Sequence, residues 1–267
     1  LDTAGIITRS ALDASVLFAL AMTPEQQVAV MPEFNDAANR LADGSYNYQT
    51  AKKPVRITTV TNHPNQRFNA IPSVRDAILS VAEQFSDAAV EHHTTLDDLP
   101  EIVKKANTIL HVEASATHTQ RLRSSSSELS AITRAVALPG AAIPSSWYVS
   151  ALQQRNTILT RFLDRYFSSN DILLTPVLPL GIPNWESVLT TSPRFESTAL
   201  LALFSWTSFV NYLGLPAVVF PIGLDANGLP ISIQAIARPY NESTLLAFAH
   251  QAECKLSGTS QATFRSF

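Results

Sequence analysis

Three side chains in one short run are spaced for chemistry. His111, Ser115 and His118, in "HVEASATH", fall at i, i+4 and i+7, and a helix sets such positions on one face. Two imidazoles with a hydroxyl between them can be drawn as part of a zinc site, or as a hydroxyl nucleophile beside its base. Neither drawing closes. A zinc site needs a third protein ligand, and a nucleophilic serine needs an orienting acid and fixed N–H donors for the oxyanion. No neighbouring residue supplies these, so the trio reads as one face of a mixed helix surface and no metal is assigned. His92 and His93 alternate across a strand-like run and cannot converge on one ligand without bending it.

The missing motifs narrow the chemistry further. Only eight glycines are present and none forms GxGxxG or GxxxxGK[ST], so nucleotide cofactors have no phosphate-binding loop and no cofactor is expected. GxSxG and SxxK are also missing, which excludes the serine hydrolases built on those turns. No residue of the chain is given a catalytic role. The one cysteine, Cys254, cannot form an internal disulfide; this fits a reducing compartment and equally a disulfide-free exported protein, and of the two a cytoplasmic location is expected.

A chain of 267 residues with 46% hydrophobic and 15% charged residues is globular. The net charge is -3, and no Lys/Arg run is longer than Lys52-Lys53 and Lys104-Lys105, so a nucleic-acid partner is not expected. The uncharged stretch from Ser197 to Leu224 is long enough to span a bilayer, about 20 residues being sufficient. Ser205, Thr207, Ser208 and Asn211 interrupt it, and Gly214 with Pro216 would break the helix, so no membrane association is expected. It reads instead as a buried helix to Tyr212, a turn, and a short core strand from Ala217 to Pro221.

The elements that must position these residues alternate. Ser10 caps a helix with Asp13 three positions on, and Pro24 stops it. After a polar connection, "DGSYNYQTAKK", "PVRITTV" is a strand, Ser73 to Phe85 a helix with Val74, Ile78, Val81 and Phe85 on one face, and "AAVEHH" a strand. Helices cover Leu99 to Leu122 and Ser145 to Phe167, with Ser124 to Ser127 as a loop. "DILLTP" is a buried strand ended by Pro176 and Pro179; "GLPISIQAI" is another, and Asn241 caps the last helix. This alternation is an α/β layered fold with helices covering a largely buried sheet, in one domain over residues 1–267.

The C-terminal third carries more specific information. "NYLGLPAVVFPIGLDANGLPISIQAIARPYNESTLLAFAH" resembles the closing motif of the amidase signature family: an Asn, Gly-x-Pro, a Pro-x-Gly strand end, Gly-Leu-Pro, a Gln-bearing strand and a capped helix, in that order. Upstream, Arg134, Gly140, Tyr148, Ala151, Arg155 and the strand from Asp171 to Pro176 match the preceding family segment. "LDTAGIITRS" resembles the stretch that follows the family's Gly/Ser-rich signature, with Ile6 where a Pro is usual.

The resemblance implies the amidase signature fold, a mixed β-sheet covered by helices on both faces. It implies hydrolysis of a carboxamide C–N bond through a serine acyl-enzyme, with a Lys base, a bridging Ser and a nucleophilic Ser drawn from the signature. That signature precedes the matched stretch in the family, so the chain is expected to be a C-terminal portion with the N-terminal part missing, inactive alone and prone to self-association. Thr207, Val210 and Gly214 would line the acyl pocket with the loop from Pro176 to Pro179, remote from His111 and His118; simple helix packing is the other reading of Thr207 and Val210. Arg134 would meet an anionic substrate group or be an ordinary exposed arginine. Phe204, Trp206 and Phe209 suggest room for an apolar acyl group. The partner is then a small-molecule amide, with a homodimer possible. Two alternatives share the fold: the amidase-like subunit of a tRNA-dependent amidotransferase, against which Phe204 replaces an expected acidic residue, and a non-catalytic amidase-derived binding protein.

Overall fold

The computed structural model describes residues 3–30 and 55–256. They pack as two compact units. A sheet unit takes in Gly5–Leu96, Tyr166–Trp206 and Leu215–Phe267; a helical unit takes in Leu1–Ala4, Asp97–Arg165 and Thr207–Gly214.

The sheet unit is built on five strands, β1 (Ile57–Asn62), β2 (Glu91–Thr95), β3 (Ile172–Pro176), β4 (Ala217–Leu224) and β5 (Pro230–Ala237), in the order β2-β1-β3-β5-β4. β1 runs parallel to both β2 and β3, while β5 is antiparallel to β3 and β4. The sheet is therefore mixed. β3 is apolar except for Thr175 and buried at every position, as a strand covered on both faces must be. β4, expected as a core strand, is the edge: only Phe220 and Ile222 are buried, and the outward-facing Val219 is 52% exposed. It runs on to Leu224 through a register shift between Pro221 and Gly223.

Helix α1 (Ala11–Leu20) starts where expected, with the Ser10 hydroxyl accepting the Asp13 N–H at 3.1 Å. Pro24 opens the short helix α2 (Pro24–Val30), a first-turn position that spares its missing N–H. Helix α3 (Pro72–Phe85) buries Val74, Ile78, Val81 and Phe85 against Ile57, Ile172, Leu174 and Ile233. The polar connection over residues 43–53 lies outside the described residues.

The helical unit contains α4 (Leu99–Ser124), α5 (Ala131–Gly140) and α6 (Ser145–Tyr166, its residues to Arg165). α5 was not expected from the sequence, because Pro139 and Gly140 disguise its last turn. Gly140 is needed there for closeness: a Cβ would lie 1.9 Å from the His111 carbonyl oxygen and 2.7 Å from Ser115 Cβ on α4. A short helix α7 (Trp185–Val188) comes first, and the expected long helix from Ser197 to Tyr212 is instead two short ones, α8 (Ser197–Ala202) and α9 (Ser208–Leu213). Between α8 and α9 the Ser205 hydroxyl bonds the Ala202 carbonyl, a local competitor for the helical ladder.

The last helix, α10 (Glu242–Leu256), packs Phe248 and Ala249 into the same core as α3. Its Glu253 carboxylate accepts the Ala11 N–H at 2.9 and 3.0 Å, and Leu246 clusters with Ala19 of α1. The two ends of the sheet unit thus hold each other. The first helix packs on the last, and Ile57, Ile172, Leu174, Ile233 and Ala235 are wholly buried. No helix among the described residues is long and apolar enough to cross a membrane.

Candidate functional site

β1 and β3 are parallel, so the loops that follow Asn62 and Pro176 leave the sheet on one side. Carboxyl ends of strands are where ligands bind in α/β sheets. A buried chain of hydrogen bonds gathers the segments here. Gln234 sits on β5 opposite Thr175 on β3, and its side-chain N–H group donates to Thr175 Oγ1 and to the Trp206 carbonyl, both at 2.9 Å. The Trp206 indole N–H donates in turn to the Phe68 carbonyl at 2.9 Å. Trp206 is wholly buried, so both ends of its residue are anchored: the backbone to the sheet, the ring to the loop after β1. The Ile71 N–H reaches the Pro179 carbonyl at 2.9 Å and ties that loop to the one after β3.

His63 closes this cluster. Its ring meets Phe68 and Trp206 edge-on, with centroids 5.3 and 5.5 Å apart. The Asn65 backbone N–H donates to Nδ1 at 2.9 Å, so the imidazole keeps a lone pair there. Burial holds its pKa below the ordinary histidine value, against the opposing effect of hydrogen bonds to the Ser205 and Asn65 backbone. It is a neutral ring clamp. Nothing in the sequence singled out His63, because its partners lie on residues 65, 68 and 206; the Gln-bearing strand was visible as a pattern, but not the contacts of Gln234.

The residues expected to bind substrate lie in the helical unit. Thr207 is the half-buried residue before α9 and its side chain makes no capping bond. Val210 is buried at 6% exposure, on the packing side of α9. Gly214 ends the helix with φ 69° and ψ 38°, a left-handed turn that favours glycine. A Cβ there would also sit 2.5 Å from Arg155 Nη2. Arg134 is on α5 and donates to the Ser126 carbonyl at 3.1 Å. The three aromatics separate: Trp206 and Phe209 are wholly buried, whereas Phe204 is 59% exposed and alone shows its ring to solvent.

His111 and Ser115 belong to the face of α4 that packs on α5, and His118 is half-buried on the same helix. His111 Nδ1 lies 2.7 Å from the Val136 carbonyl, which can only accept, so that nitrogen carries the proton. Ser115 is buried under Gly140. Among the described residues no three His, Cys, Asp or Glu side chains are grouped to hold a metal ion.

Comparison with known proteins gives one family: the model described as Amidase matches residues 1–246. A glutamyl-tRNA(Gln) amidotransferase subunit of Methylorubrum extorquens (strain PA1) is 37% identical over 108 residues, 40% of this chain and 21% of that protein. A fatty acid amide hydrolase of Medicago truncatula is 34% identical over 114 residues, 43% of this chain and 18% of that protein. In structure, an amidase superposes with TM-score 0.67 at 19% identity, covering 93% of this chain and 51% of that one. A 6-aminohexanoate cyclic dimer hydrolase complexed with substrate gives 0.65 at 18% identity, covering 93% and 54%. The structural likeness establishes the fold. The chain spans about half the length of these solved structures, and its matches to the curated relatives cover about a fifth of theirs.

Two expectations change here. The expectation that only a C-terminal portion of the family's domain is matched is corrected: the family match begins at residue 1 and runs to 246. The partner expectations, with nucleic acid excluded, are overturned by repeated matches to the same subunit of glutamyl-tRNA(Gln) amidotransferases. The physical fault lay in reading charge from runs. Folding gathers residues far apart in sequence, as with Arg161 and Arg165 against Asp97, Asp98 and Glu101, so a linear count of Lys/Arg pairs does not describe a surface.

Proposed function

Since the chain belongs to the amidase family, we propose that it acts on a carboxamide C–N bond as an amidase-like subunit of the glutamyl-tRNA(Gln) amidotransferase kind. The amide is proposed to meet the carboxyl ends of β1 and β3; Thr207, Val210, Gly214 and Arg134 are proposed separately, from the family motif, as substrate-binding residues. The observation that carries this reading is the stretch of 34–37% identity to subunits of that enzyme. The chemistry proposed is acyl transfer to a serine: a hydroxyl becomes a useful nucleophile at neutral pH only when a base takes its proton, and the developing oxyanion needs fixed N–H donors. The buried Gln234–Trp206–Phe68 chain would hold the loops around the acyl group without taking part in the reaction. A cytoplasmic location belongs to this proposal, supported by the single cysteine.

A second reading, a carboxamide hydrolase acting without tRNA, is favoured by one observation. Phe204 stands where the sequence comparison expects an acid, and it is exposed. The test is a pair of assays on the 267-residue chain. The amidotransferase reading expects binding of glutamyl-tRNA(Gln) that weakens steeply as salt rises from about 50 to 200 mM, as phosphate contacts dictate. Release of amine from an alkyl or aryl amide, with no retention of tRNA, would replace it with the second reading.

A further inference from the structure

The sheet unit contains a cleft of about 300 Å³ between the loop after β3, the start of α7 and helix α8. Leu178, Leu180, Pro183, Ala199 and Leu203 give it apolar walls. The polar groups beside it are mostly spoken for: the Ser187 hydroxyl donates to the Asn184 carbonyl at 2.7 Å, and Asn184 Oδ1 accepts the Glu186 N–H at 2.9 Å. Glu196 is different. Its backbone N–H bonds the Ser187 carbonyl, which fixes the residue at the rim, but its carboxylate makes no side-chain hydrogen bond or ion pair among the described residues. The nearest cation in sequence, Arg194, is held by Glu186 at 2.8 Å. The cleft therefore combines apolar walls with one uncompensated negative charge.

We propose that this cleft binds a small alkylammonium ion, its chain against Leu178, Leu180 and Leu203 and its ammonium group on the Glu196 carboxylate. About 300 Å³ is the lower end of small-molecule sites, which suits a chain of a few carbons rather than a ring system or a peptide. A charged group on a hydrocarbon chain needs both features: the walls remove the chain from water while the carboxylate, at a wet rim, meets the ammonium without a large desolvation penalty. The site does not depend on the amide chemistry proposed above and is tested without it.

The experiment is a titration of the 267-residue chain with hexylammonium chloride and, separately, sodium hexanoate, followed by calorimetry or by NMR shifts of residues 178–203. Hexylammonium is expected to bind at least tenfold more tightly than hexanoate. Glu196→Gln should weaken hexylammonium about fivefold, in keeping with an exposed ion pair. Glu196 precedes α8 without a side-chain cap bond, so this change leaves the helix start intact. Ala199→Phe, which fills the cleft, should abolish binding. Equal affinity for the two ions, no binding of hexylammonium to the unaltered chain, or an unchanged affinity in Glu196→Gln would overturn the proposal.

Discussion

The two units hold their parts by different means. In the sheet unit, long polar side chains reach across: Gln234 to Thr175 and Trp206, Trp206 to Phe68, Glu253 to Ala11. In the helical unit, two close approaches depend on a missing side chain. α5 lies against α4 because Gly140 has no Cβ, and α9 turns at Gly214 beneath Arg155 for the same reason. Its polar contacts include exposed ion pairs, such as Arg161 with Glu101 at 2.7 Å, each contributing little, and one buried bond, from the Tyr212 hydroxyl to the Ala151 carbonyl at 2.7 Å. The lesson is about tolerance. A unit tied by reaching side chains is damaged by truncation, while a unit tied by small residues is damaged by enlargement.

Substitutions can break that comparison. The largest effect is expected for Trp206→Ala, which empties a wholly buried site and removes the link to Phe68; destabilisation of about 3–5 kcal/mol should be seen in a urea titration. Gly140→Ala, one methyl group added, should cost about 3 kcal/mol, because the obstacle is the His111 backbone rather than a side chain that can swing away. A change under about 0.5 kcal/mol there would show that α4 and α5 are not close-packed. Gln234→Leu should cost about 2 kcal/mol, since it keeps the volume but strands a buried hydroxyl and a carbonyl.

The smallest effect concerns pH. Burial lowers the His63 pKa, so the folded protein prefers the neutral ring. The stability this group contributes is complete above the unfolded histidine pKa of about 6.5 and is lost as pH falls from there through the lower folded value. Glu242 runs the other way: burial raises its pKa, so its contribution is complete at low pH and is lost as pH rises from the unfolded carboxylate range through the folded value. His63→Phe should flatten the histidine slope and leave the Glu242 slope unchanged, as read from thermal midpoints between about pH 4 and 7. If the slope between about pH 6.5 and 5 survives, another group is responsible.

The same contrast explains what the sequence disclosed. Elements whose signal is local were legible: the Ser10 cap, the four-residue apolar face of α3, the buried run of β3. α5 was missed because its breakers, Pro139 and Gly140, serve a packing contact with α4 that is not local. The helix before Gly214 was read as continuous because all of it is uncharged, although the Ser205 hydroxyl bonds the Ala202 carbonyl between α8 and α9. The family could be read from ordered motifs. The position of the chain within the domain could not, because a motif fixes order and not extent. Thr207 and Gly214 could be singled out because they stand in a recognisable motif, whereas His63 has meaning only once β1 lies beside β3.

The central proposal is that a carboxamide meets the carboxyl ends of β1 and β3. The most direct measurement is an NMR titration of the labelled 267-residue chain with glutamine and with an aryl carboxamide, watching the Trp206 indole N–H and the backbone of residues 63–71 and 176–181. Saturable shifts at Trp206 and in those two loops, with those of His111 and His118 unchanged, are the expected result. Shifts that gather on α4 and α5 around His111, or none at Trp206 while the amide binds, would contradict it.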